Sequence, residues 1–195
     1  MPRIAAPTIA TNRDRREAAL MSAAAEIART EGIHAVTVGA VAERCGIARS
    51  TVYTYFASGS DLVADVLVEE LMFMIEALAE RVAPAKSADE VIRTWVRAAL
   101  EYVTDGRHAL VRAASSVDLP PARKQQIAML HRELSAPLIS ALSQVGRAEA
   151  ARIGQQVASI IEVCVRRIEL GADVETEIAA AEQFIFDGLG THIRA

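Results

Sequence analysis

The stretch Thr37-Val38-Gly39-Ala40-Val41-Ala42-Glu43-Arg44-Cys45-Gly46-Ile47-Ala48-Arg49-Ser50-Thr51-Val52-Tyr53-Thr54-Tyr55-Phe56 divides at Gly46 into two short runs of helical spacing. In the first, from Thr37 to Cys45, Val38, Val41 and Ala42 share a face. The Thr37 hydroxyl is placed to accept one of the amides left unpaired at a helix start. Gly46 breaks the chain, and a second short helix is predicted from Ala48 to Tyr55, ahead of the loop Ala57-Ser58-Gly59. Two such helices about a glycine turn make a helix-turn-helix, whose first helix crosses a phosphate backbone while the second enters the major groove. Ala42 is small enough for close packing of the pair, and Ile47 and Val52 are expected to fill the space beneath it. Arg49, Ser50, Thr51, Tyr53, Thr54 and Tyr55 then surround the exposed sides of the second helix, a polar, hydrogen-bonding surface.

Outward from this stretch the chain reads as helix throughout, so the expected fold class is all-α. Of its 195 residues 52% are apolar but only 4% aromatic, and ten glycines and six prolines punctuate long periodic runs, which disfavours a β-sandwich with its frequent turns. Residues 1–12 lack periodicity and are expected to form a flexible arm, 13–58 the helix-turn-helix domain and 59–195 a helical body. Leu20, Ala24, Ile27 and Ala28 recur in a first helix that Thr11 or Asn12 caps and Gly32 ends. Ser58-Gly59-Ser60-Asp61 and Ser87-Ala88-Asp89-Glu90 have capping-box form and open helices reaching about Val82 and Tyr102. A short helix is predicted over 106–116, and Pro120-Pro121 suits the first turn of the next, which Pro137 should bend or interrupt near Ser135. Helices between Glu149 and Leu170 and after Asp173 complete about nine.

The net charge of −4 hides an asymmetry: residues 1–59 carry seven arginines against five acids, a basic excess on an acidic body. No run of eighteen apolar residues and no secretory h-region is present, so a cytoplasmic, membrane-free protein is expected. Cys45 and Cys164 lack the spacing of a disulfide framework or zinc site, and His34, His108, His131 and His192 lack metal-ligand spacing. Neither metal nor cofactor is expected. The Ile153, Val157, Ile160, Ile161 and Cys164 stripe, joined by Phe184, Ile185 and Leu189, exceeds what one core helix needs. Paired with a second copy, these two helices would form a four-helix dimer interface.

Gly32, Thr37, Val41-Ala42, Gly46-Ile47-Ala48, Thr51, Tyr53, Phe56 and Leu62 resemble the amino-terminal domain of TetR-family transcription regulators over residues 13 to 66. The resemblance implies a homodimer that binds a palindromic double-stranded DNA operator, as a repressor, and is released when a small-molecule effector occupies the carboxy-terminal domain. It makes residues 59–195 the effector-binding and dimerisation domain. It also places the effector among Met72, Phe73, Trp95, Tyr102 and Met129, with His108, Arg112 and His131 available to orient a polar group. Ordinary core packing is the competing reading of each, and an apolar cavity with few polar anchors would take a hydrophobic compound. Two positions depart from the family pattern. Gly59 stands where a lysine commonly touches phosphate, and Gly39 replaces a residue that is often polar or basic. Arg3, Arg13, Arg15 and Arg16 of the arm and first helix are candidates to make up the deficit.

Within the expected interface Arg49 suits two roles, a fork on guanine O6 and N7 or a phosphate clamp. Tyr53 and Tyr55 suit phosphate contacts or packing, Thr37 a phosphate contact or a cap alone, and Arg44 a DNA contact or a solvated charge. Two other classes compete with a regulator. One is a helical protein-binding scaffold with weak or lost DNA binding; the other is an all-α enzyme using Cys164 or a histidine with an acid such as Glu162, for which no nucleophile, phosphate-loop or metal motif is present.

Overall fold

The computed structural model describes residues 9–102, 116–146 and 149–190. Among these the regular structure is all helical: α1 (Ile9–Glu31), a 3-10 turn at Ile33–Ala35, α2 (Val38–Arg44), α3 (Arg49–Val52), α4 (Gly59–Val82), α5 (Ala88–Glu101), α6 (Pro121–Gln144), α7 (Ala150–Glu169) and α8 (Val174–Leu189). The expected arm up to residue 8, and the helix expected over 106–116 except for Ser116, lie outside the described residues. The described residues divide into two compact units, 9–69 with 116–125, and 70–102 with 126–146 and 149–190. Helices α4 and α6 contribute to both.

The first unit packs Leu20, Ala24 and Ile27 of α1 into one core with Ile33, Val41, Val52, Phe56 and Leu62. Helix α1 ends at Gly32, whose φ of 89° is open to glycine without a side-chain clash, and Ile33 is buried directly after it. The second unit is built on a core of Met74, Leu78, Ile92, Trp95, Leu138, Leu142, Val157, Ile161, Ile178 and Ile185 with their neighbours. Gly154 lets α6 and α7 approach closely, since a Cβ there would lie 3.1 Å from Ile139.

Both predicted serine N-caps form, while the reciprocal half of each capping box goes to a different group. Ser58 Oγ accepts the Asp61 amide at 3.1 Å and donates to its carboxylate at 2.7 Å. Ser87 Oγ accepts the Glu90 amide at 3.2 Å, while the Glu90 carboxylate accepts the Lys86 amide at 2.6 Å. At α8 the Asp173 carboxylate accepts the Thr176 amide at 2.9 Å, and this bond with that from the Thr176 hydroxyl holds its pKa below the ordinary range.

Three expectations are corrected. The expected caps Thr11 and Asn12 lie inside α1, which already starts at Ile9 and takes in Ala10, a strong helix former. Helix α3 covers four residues, not the eight from Ala48 to Tyr55, because the following amides close tighter turns, Thr54 onto Thr51 and Tyr55 onto Val52. The Thr54 hydroxyl also donates to the Thr51 carbonyl at 2.7 Å, offering the backbone a local alternative to helix. Pro137 does not interrupt α6, which runs unbroken from Pro121 to Gln144. One missing amide is outweighed there by the burial of Leu134, Leu138, Ala141 and Leu142 on either side of it.

Candidate nucleic-acid interface

The steep pairing of α2 and α3 rests on three choices. Thr37 caps α2, its hydroxyl accepting the Ala40 amide at 3.1 Å. Gly46, at φ 65°, turns the chain, and the Ile47 amide closes back on the Ala42 carbonyl at 3.0 Å. Val41, Ala42 and Val52 are fully buried between the helices. Ile47 was expected beneath the pair but is 37% exposed, so Val52 and Phe56 supply that support.

This frame leaves Arg49, Ser50, Tyr53 and Thr54 exposed, with Thr51 and Tyr55 half-buried. Tyr53 is 56% exposed and stands clear of the core, whereas Tyr55 is held from behind. The Arg13 guanidinium lies 5.2 Å from the centre of the Tyr55 ring and donates to the Thr54 carbonyl at 3.3 Å. Arg13 is therefore a brace between α1 and the end of the recognition segment, a role its place in the sequence did not reveal.

Arg44 likewise reaches α1. Its guanidinium pairs with Glu26 at 3.2 Å and Glu31 at 2.9 Å, both on α1. These pairs are exposed, so Arg44→Ala is expected to cost no more than about 1 kcal/mol of stability. It should leave the salt dependence of duplex binding unchanged; a salt slope reduced in this variant would return Arg44 to the interface.

Arg49 lies over the start of α2. A Cβ on Gly39 would stand 2.8 Å from its Nη2 and 3.0 Å from its Cζ. The two residues share a depression of about 480 Å³ with Thr37, Tyr53, Gly59 and Ser60, and among the described residues no carboxylate lines it.

In the second unit, Phe73, Trp95 and Tyr102 line a cleft of about 380 Å³ with Met74, Leu78 and Leu134. Trp95 is fixed by donation from Nε1 to the Leu134 carbonyl at 3.0 Å, and the Tyr102 hydroxyl is bonded to the Glu70 carboxylate. Arg81 and Glu101, paired at 2.5 Å, add charge to the lining and were not anticipated. Met72, Met129 and His131, also expected there, do not line this cleft and are exposed; His108 and Arg112 lie outside the described residues.

The stripe expected to dimerise is split by the protomer itself. Val157, Ile161, Cys164, Ile185 and Leu189 belong to the second unit's own core, while Ile153 and Ile160 are half-buried and Phe184 is 66% exposed. The outward apolar surface is thus narrower than the sequence suggested, a groove of Ile153, Ile160 and Phe184 to which the edges of Val157, Ile185 and Leu189 contribute. Burial, then the adjoining Glu177 carboxylate, push the Cys164 thiol up, the opposite of what a nucleophilic thiolate needs. Among the described residues no group of three or more His, Cys, Asp or Glu side chains is arranged to hold a metal ion.

Residues 20–66 match the model of the tetR family of bacterial regulatory proteins. This segment is a TetR-family domain. No curated protein matches the sequence. Solved structures similar to the chain share the TetR-type fold at low identity. The transcriptional regulator FadR from Bacillus subtilis, in complex with stearoyl-CoA, is 19% identical with a TM-score of 0.73, covering 88% of this chain and 98% of its own. A transcriptional regulator from Saccharomonospora viridis in complex with choline is 13% identical with a TM-score of 0.73, covering 88% and 96%. The TetR-family transcriptional regulator PfmR from Thermus thermophilus is 17% identical with a TM-score of 0.66, covering 91% and 94%. The TetR-type architecture therefore extends over nearly the whole chain, and among the described residues no helix is long and apolar enough to cross a membrane.

Proposed function

We propose that this chain is a ligand-responsive transcriptional regulator that binds a near-palindromic operator as a homodimer and represses until an effector releases it. The observation that carries the reading is the polar face of Arg49, Ser50, Tyr53 and Thr54, projected by the Gly46 turn from a packed helix pair within the matched domain. Two-fold pairing along the Ile153, Ile160 and Phe184 groove would give the assembly two such faces, matching a two-fold symmetric site. Selection of bound duplexes from random sequence is expected to recover an inverted repeat with half-sites about 34–36 Å apart. Recovery of no enriched sequence would overturn it.

The cleft around Trp95 is the effector site in this reading, and its apolar walls with one ion pair suit a hydrophobic compound with a polar end. Helix α4 carries residues of both units and is the element an effector would bias. An effector that favours the released arrangement weakens DNA, and DNA weakens the effector by the same factor. Trp95 is the only tryptophan in the sequence, so its fluorescence reports occupancy of this cleft directly.

A further inference from the structure

Gly39 and Gly59, the two departures from the family pattern, border one depression, and Arg49 lies in it. We infer that Gly39 is a positioning residue: its bare backbone admits the Arg49 guanidinium over the first turn of α2 and aims it at a DNA phosphate rather than a base edge. The inference rests on the proposed function and deepens it. Three observations carry it. The guanidinium occupies the space that any side chain at position 39 would take, with Nη2, Cζ and Nε all within 3.1 Å of the missing Cβ. The polar groups around it include His34 and the hydroxyl-bearing Thr37, Tyr53 and Ser60, and among the described residues the lining carries no acid, which is the chemistry of an anion site. Unlike Arg44, Arg49 has no carboxylate partner among the described residues, so its charge is available to a phosphate.

Because the atoms crowding Gly39 are the far end of a flexible side chain, Gly39→Ala displaces the arginine without breaking the fold, and alanine is the better helix former. The experiment measures binding of the wild-type chain, Gly39→Ala, Arg49→Ala and Arg49→Ala/Gly59→Lys to the selected operator and to a random-sequence duplex over a salt series. Thermal unfolding of each variant controls for folding. Arg49→Ala and Gly39→Ala are each expected to lower the log–log salt slope by about 0.9 and to weaken both duplexes by the same factor. A Cβ on Gly59 meets nothing within 4 Å, so the lysine of the double variant has room, and it is expected to restore the slope. Loss confined to the operator in Arg49→Ala, with random-duplex binding retained, would make Arg49 a base reader and overturn the inference while leaving the proposed function standing. Wild-type slope and affinity in a folded Gly39→Ala would likewise overturn it alone. A wild-type chain that binds neither duplex would overturn both.

Discussion

Phe184→Asp is expected to give a folded monomer and its neighbour Ile185→Asp an unfolded chain. The two residues are adjacent in α8, about 100° apart around its axis, and both border the groove, but Phe184 is 66% exposed while Ile185 is 3% exposed and belongs to the core with Ile161 and Ile178. An isoleucine truncated in such a core costs about 2–5 kcal/mol, and a carboxylate put in its place adds the cost of burying a charge without a partner. Against a total stability of about 5–15 kcal/mol that is enough to unfold the unit. At position 184 the aspartate meets water in the free chain, and only a facing copy makes it unfavourable. Sedimentation and circular dichroism separate the cases. A Phe184→Asp chain that still sediments as a dimer would remove the α7–α8 groove from the interface, and a cooperatively folded Ile185→Asp chain would contradict its place in the core.

The second large effect is expected at Trp95. Trp95→Ala should cost about 3–5 kcal/mol, since it empties the largest side chain from a site 4% exposed between α5 and α6. Trp95→Phe keeps most of the ring packing and loses the donor to the Leu134 carbonyl, a change worth about 1 kcal/mol. Denaturant unfolding followed by circular dichroism checks both. Equal stability of the two variants would mean that the cleft collapses around the smaller side chain, and Trp95 would then not hold it open.

Helix starts were legible from local chemistry. Thr37, Ser58, Ser87 and Asp173 each accept an amide three residues ahead, an interaction contained within four consecutive residues. The glycine stops at Gly32, Gly46 and Gly171 were legible for the same reason, since each adopts a positive φ. The family pattern over residues 20–66 was likewise carried by residues close in sequence.

What the sequence alone determined is thus the all-helical class, most of the capped boundaries and the helix-turn-helix, because periodicity, caps and turns are short-range properties of the backbone. What only the tertiary structure decided is which side chains are free to act. Arg13 and Arg44, candidates for DNA contact in the sequence, also meet Tyr55 and pair with Glu26 and Glu31 respectively, partners distant from them in the sequence. Ile161 and Ile185 looked like interface and are core, because one apolar stripe serves a protomer or its partner according to which helices pack on it first. Gly39 looked like a missing contact and is the space Arg49 occupies, a relation between two helices that spacing along one chain does not encode.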